Sequence, residues 1–127
     1  FKKKQEELLS ETLKKIDIVV CTALIPGKKA PVIIKDDMIN NMKSGSIIYD
    51  LAAIQGGNTA HTKVDEIVDK NGVKIMGESN ILNKLPTSAS NLYAKNVFNF
   101  VSNLYDKENN KININLEDEI IEKTLIK

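Results

Sequence analysis

An α/β fold built on a doubly wound parallel sheet is predicted by three observations. Three short runs, "IDIVVCTA" at 16–23, "SIIYDLA" at 46–52 and "VKIMGE" at 73–78, are almost wholly apolar, the mark of strands covered on both faces. Helix- or turn-forming segments separate them, which is the rhythm of crossover connections. A long apolar-faced stretch follows, and beyond it the pattern shifts to the alternation of strands.

The elements follow in order. In "KKKQEELLSETLKK", residues 2–15, Leu8, Leu9, Leu13 and Ile16 recur at near-helical spacing, with Lys4, Glu7, Glu11 and Lys15 toward solvent. The first strand opens into "CTALIPGKKAP", where Leu24 and Ile25 stand before a Pro-Gly turn and two lysines. In "PVIIKDDMINNMKSG", Asp36 is expected to cap a two-turn helix that stops at Gly45. "AIQGGNTAHT" is a Gly-rich loop after the second strand, and "VDEIVDKNG" is expected to make a turn or short helix before the third. A helix is expected over about 88–105 with Leu92, Val97, Phe98, Phe100, Val101 and Leu104 on its apolar face. The tail "KININLEDEIIEKTLIK" alternates as strands do, with a charged break at Glu117 to Glu119. Three strands with so few helices to cover them would leave an open edge. Further strands are therefore expected from sequence outside this chain, and both ends, Phe1 and "TLIK", are expected to be cut.

The chain of 127 residues is 42% hydrophobic and 28% charged, a globular balance. A net charge of +1 with scattered basic residues argues against nucleic acid as a partner. No apolar run approaches the roughly 18 residues of a membrane span. All 18 basic residues are Lys, so the chain has no two-pronged guanidinium for a phosphate or carboxylate. Its one cysteine, Cys21, forms no internal disulfide.

Ligands of an open parallel sheet bind beyond the carboxyl ends of its strands. Those ends are Thr22-Ala23-Leu24, Asp50-Leu51-Ala52 and Glu78-Ser79-Asn80. Small and polar residues there suit a nucleotide cleft, and equally suit strands that merely end in polar turns. No G-x-G-x-x-G occurs and "QGGN" is too short to replace it, so any pyrophosphate is held elsewhere. Cys21 and His61 would make a nucleophile and base only if they met; a buried thiol and a solvated loop imidazole are the commoner case. Asp50 is either a base or, more commonly, a turn-capping carboxylate. Lys28 and Lys29 are phosphate-attracting or simply solvated, Met38, Met42 and Met76 read as packing, and no metal-ligand spacing is present.

The run "DIVVCTALIPGKKAPVIIKDDMINNMKSGSIIYDLAAIQGGN", followed by "GVKIMGESN", "LPTSASNLYAKNVFNF" and "NLEDEII", resembles the NAD(H)-binding first domain of the alpha subunit of proton-translocating NAD(P) transhydrogenases. The wider family includes alanine dehydrogenases, and the likeness covers essentially the whole chain. It implies the latter half of a Rossmann-like doubly wound parallel sheet, plus a long helix and C-terminal strands belonging to a second lobe. Residues 1–85 would be the latter half of the NAD(H)-binding lobe, and 86–127 the connecting helix and returning strands. Implied with it are NAD(H) as cofactor, NADP(H) on a partner subunit, and the upstream half of the same domain, which holds the phosphate loop. Membrane and NADP(H)-binding subunits and a second copy in a homodimer are the other implied partners. The implied location is the cytoplasmic side of the bacterial inner membrane, peripheral through those subunits.

Carried over residue by residue, Gln5 and Leu24 match cofactor contacts of the family, with Leu24 at the nicotinamide end. Thr22, Ala23 and Asn80 join them through the rim argument. The resemblance implies hydride passing directly between two nicotinamides, so no catalytic acid, base or nucleophile is expected here, and this chain alone is expected to be inactive. One alternative is an alanine dehydrogenase-like oxidoreductase, whose pattern carries an acid just before Q-G-G where this chain has Ile54. Another is a structural fragment that binds no nucleotide. Leu82 departs from a proline common in the family.

Overall fold

The computed structural model describes residues 2–126, which divide into two compact units between Ile81 and Leu82. The three apolar runs form strands β1 (Ile18–Cys21), β2 (Ile47–Asp50) and β4 (Val73–Gly77), all parallel. A fourth strand, β3 (Ile67–Lys70), pairs antiparallel with β4, giving the order β1-β2-β4-β3.

That fourth strand corrects the expected turn or short helix at 64–72. Lys70 and Val73 are paired across a two-residue loop, Asn71-Gly72, whose φ angles are 54° and 82°. Two left-handed residues in succession make the type I′ turn whose twist matches a hairpin, and Asn-Gly is its preferred pair. The β-branched Ile67 and Val68 then supply strand propensity. The sheet thus gains a fourth strand from within the chain.

The register sets the core. Val19, Ile48 and Ile75 lie in one row across the parallel strands, and Val68 extends it on β3. Ile48 and Ile75 have no exposed surface. Helix α1 (Lys2–Leu13) covers this face with Leu13 and Leu9, and α2 (Asp36–Asn40) covers it with Met38 and Ile39. Leu8, expected on the apolar side of α1, is instead 69% exposed. Burial on the other sheet face is incomplete: Ile18, Val20 and Ile67 are exposed. The expected cover on both faces is present on one.

Two caps differ from expectation. Lys35, not Asp36, is the N-cap of α2, and its side chain makes no capping bond. Asp36 is the first helical residue, where its charge favours the helix N-terminus, and the helix ends at Asn40, short of Gly45.

A short helix, α3 (Ile81–Lys84), spans the division, and in the second unit Pro86 starts α4 (Pro86–Asn103), a position where its missing N–H costs nothing. No residue of this 18-residue helix is buried. Tyr105–Asp106 (β5) and Lys111–Ile112 (β6) form a small antiparallel pair. The rest of the tail departs from the expected strand pattern: Glu119–Thr124 is helix α5. Asp118 caps it, accepting from the N–H groups of Ile120 at 2.8 Å and Ile121 at 3.2 Å. Acidic Glu119 and Glu122 in the first turn and Lys123 in the last complement the dipole. Among the described residues, no helix is long and apolar enough to cross a membrane.

Candidate functional site

Cys21, Asp50 and Gly77 are mutual partners at the carboxyl ends of the three parallel strands. The three predicted rim segments therefore share one edge. Gly77 is required there by space, since a Cβ on it would lie 2.0 Å from the Lys63 carbonyl oxygen.

The chain leaves β1 into a loop that carries its apolar residues outward. Leu24 is 47% exposed and Ile25 44%. Pro26 and Gly27 occupy the centre of a tight turn closed by the Lys28 N–H donating to Ile25 O at 3.1 Å. Gly27 has φ 69° with open space around it, so the backbone angle, not crowding, calls for glycine. The order Pro then left-handed Gly is that of a type II turn. Thr22 is exposed beside the ledge and Ala23 half-buried.

Asn58, which is not among the residues expected at the site, binds this loop to the sheet. It has no exposed surface. Its Nδ2 donates to Ala23 O and Pro31 O, both at 2.9 Å, and its Oδ1 accepts from Ala23 N at 2.9 Å. Its own N–H donates to Asp50 Oδ2 at 2.6 Å. Asp50 is equally committed: Oδ1 accepts from Ala52 N at 2.9 Å, and Oδ2 also takes the Thr62 hydroxyl at 2.5 Å. Buried and fully engaged, Asp50 is a turn-capping carboxylate. The signal for Asn58 was a polar residue directly after two glycines, but a partner 35 positions away is invisible in sequence.

At the third strand end, Ser79 donates through N and Oγ to Asp65 at 3.0 and 2.8 Å. Asn80 is exposed, and its N–H donates to Glu78 Oε1 at 3.0 Å. Gln5 is exposed on α1, beside a surface hollow with Lys4, Glu7, Leu8 and Glu11. A separate apolar cleft of about 280 Å³ lies between α1 and the end of β1, lined by Thr22 and Ala23 together with Leu9 and Leu13. The described residues thus bring Thr22 and Ala23 together beside Leu24, and Asn80 onto the same sheet edge. Gln5 does not line the cleft beside Ala23.

Cys21 is buried, and that burial, with the Asp50 carboxylate adding to it, pushes its thiol up to about 12. At neutral pH it is a protonated core residue, not a nucleophile. His61 faces elsewhere: its Nε2 lies 2.5 Å from Asp36 Oδ1. Asn40 and Lys70 also bind that carboxylate, at 2.9 and 3.1 Å. The imidazole first, then Lys70, hold Asp36 down to about 2.

The family described as "Alanine dehydrogenase/PNT, C-terminal domain" matches residues 1–127. An NAD(P) transhydrogenase subunit alpha polypeptide of Rhodospirillum rubrum is 44% identical over 126 residues, covering 99% of this chain and 33% of that protein. NAD(P) transhydrogenase subunit alpha of Haemophilus influenzae is 40% identical over 122 residues, 95% of this chain and 24% of its own length. The crystal structure of transhydrogenase from Sinorhizobium meliloti superposes with a TM-score of 0.67 at 41% identity, over 76% of this chain and 29% of that one. The chain therefore spans a third or less of each of these three proteins. Its sequence and its parallel-dominated sheet agree: this chain belongs to the alanine dehydrogenase/PNT C-terminal domain family.

Proposed function

We propose that this chain is part of the NAD(H)-binding component of a proton-translocating NAD(P) transhydrogenase, with Leu24 and Ile25 supporting the nicotinamide end. The observation that carries this reading is an apolar ledge, held out to solvent, on the rim where three parallel strands end. Exposing two adjacent large aliphatics on a stiff Pro-Gly turn has no packing benefit; a flat ring laid on them would supply one. The residues fit one end of a dinucleotide only. The loops described here form no phosphate cradle and the chain has no arginine, so the diphosphate is held by the upstream half of the domain.

In this reading the bound dinucleotide supplies the redox chemistry. The chain's own residues position and exclude water. The Leu24 and Ile25 side chains present no group that bonds water, Thr22 and Ala23 flank them, and Asn80 offers an amide from the end of β4, two strands away. Gln5 approaches from α1 in the complete domain. Ile54, 65% exposed, stands where an alanine dehydrogenase-like site would carry an acid, and the Asp50 carboxylate is already committed, so proton abstraction is not this rim's work. Residues 86–127 return to the domain's other lobe. NADP(H) is carried on another subunit, a second copy completes a homodimer, and the assembly holds the chain at the cytoplasmic face of the bacterial inner membrane.

NADH titration by fluorescence tests this in the complete domain. Leu24→Asp is expected to weaken binding by about tenfold or more, because it sets a carboxylate under an apolar ring face, while the melting temperature is unchanged. Unchanged affinity would overturn the ledge assignment. Brisk NADH oxidation dependent on pyruvate and ammonia would favour alanine dehydrogenase, and failure of the complete domain to bind NADH at millimolar concentration would favour the structural fragment.

A further inference from the structure

We infer that Gln55 and Asn58 are positioning residues, an internal template that holds the loop from Ala23 to Pro31 in the shape the ledge requires. The inference deepens the proposed function and rests on its reading of Leu24 as a ring support. Residues 22–33 contain neither helix nor strand, and the one backbone bond within the loop is the Lys28–Ile25 turn closure. Its remaining inward-facing groups are met from a single short segment. At the neck, the Asn58 side chain joins Ala23 to Pro31, closing the two ends of the loop on one amide. Beyond the neck, Asn58 O accepts from Ile33 N at 2.8 Å and Ile34 N at 3.0 Å. Inside the loop, Gln55 O accepts from Ala30 N at 2.8 Å. In the amide orientation its neighbours demand, Gln55 Nε2 donates to Ile25 O at 3.2 Å and Lys28 O at 2.9 Å.

These contacts explain why "QGGN" carries its polar residues three apart. A glutamine reaches the far turn and an asparagine, one methylene shorter, grips the near neck. The buried Asn58 N–H on Asp50 fixes the template to β2, so the ledge on β1 is set from its neighbouring strand. Asn58 lines the cleft beside Ala23 but has no exposed surface, and its amide, like both Gln55 donors, is spent on loop backbone groups, so these polar groups act through the loop. Their effect on binding is to order the loop before the ligand arrives, a cost otherwise met at association.

The test uses the full-length protein and compares Gln55→Met, Gln55→Asn, Asn58→Asp and Leu24→Asp. Gln55→Met keeps side-chain length and the backbone bond to Ala30 but removes both donors. We expect NADH to bind about tenfold more weakly, amide exchange at Lys28 to quicken, and the melting temperature to stay within a few degrees. Gln55→Asn, whose amide falls one methylene short of the Ile25 and Lys28 carbonyls, is expected to bind as weakly as Gln55→Met. Asn58→Asp keeps the acceptor for Ala23 and loses both donors, and is expected to weaken binding as much at a lower melting temperature; should it not fold, Gln55→Met decides. Wild-type affinity in Gln55→Met overturns the template, whether or not exchange quickens. If Leu24→Asp still weakens binding in that case, the ledge survives and only the template fails. If Leu24→Asp also binds normally, the ledge reading itself has failed.

Discussion

The two faces of the four-stranded sheet are made by the same strands and have opposite fates. On one, Ile48, Val73 and Ile75 are sealed beneath α1 and α2. On the other, Val20 and Ile18 remain open, 59% and 65% exposed, and Ile67 lies in register beyond Met76. Composition separates them only in part, for the open face carries Tyr49, Lys74 and Asp69 but also Ile18, Ile47, Val20 and Ile67. What separates them is the supply of helices within the chain. An uncovered aliphatic row on a parallel sheet is atypical of a complete α/β domain, which favours a place for this chain within a larger domain.

The largest effect should come from breaking the covered face. Ile75→Ala is expected to cost about 2–5 kcal/mol in urea unfolding of this chain, through lost transfer energy and the cavity left behind. Val20→Ala, one row over on the open face, is expected to cost no more than about 0.5 kcal/mol. Equal costs would abolish the distinction between faces. Repeating Val20→Ala in the full-length protein sharpens it: a cost there approaching that of Ile75→Ala would mean the open face is covered in the larger domain.

A middle-sized effect concerns Cys21, whose side chain points into the sealed side next to open-faced Val20. Its folded thiol titrates near 12 against 9.0 ordinarily. The folded state therefore holds its proton where the unfolded state has lost it. Stability is complete below about pH 9 and declines as pH rises from there toward 12. Reaction with a disulfide reagent at pH 8 should be slower in the folded chain by about two orders of magnitude, and become fast in urea. Rapid labelling of the folded chain would show that the covered face is not sealed.

The smallest effect lies on the outside of the cover. Asp36 begins α2 and ties it to His61 and Lys70. Its lowered titration, about 2 against 3.8, means the stabilisation is present above about pH 4 and fades as pH falls toward 2. Because the group is solvent-exposed the change is modest. Asp36→Asn should flatten that part of the acid unfolding curve; an unaltered curve would mean the latch does not help hold the cover.

The strands were legible because an apolar run of strand length between turn signals has few other readings, and their parallel order followed from the spacing. The fourth strand was missed although its Asn71-Gly72 turn was in plain view, because the charged Asp65, Glu66, Asp69 and Lys70 masked the short Ile67-Val68 core. Helix α5 was hidden in the same way: "ININL" alternates, and the capping role of Asp118 shows only once the chain bends there. The rim was legible because carboxyl ends follow from strand direction. Asn58 was not, since its meaning lies in two carbonyls brought to it by the fold. Gln5 rests on family likeness, and its surroundings in this chain add nothing to it.

The Asn71-Gly72 hairpin has a kinetic corollary. Pairing β3 with β4 closes only two residues, a microsecond event for an isolated hairpin, whereas Val19 must find Ile48, and Ile48 must find Ile75, across long crossovers whose closure is entropically slow. The far edge of the sheet is thus the natural nucleus, and assembly should propagate from it toward β1, leaving the loop of residues 22–33 among the last segments to acquire its shape.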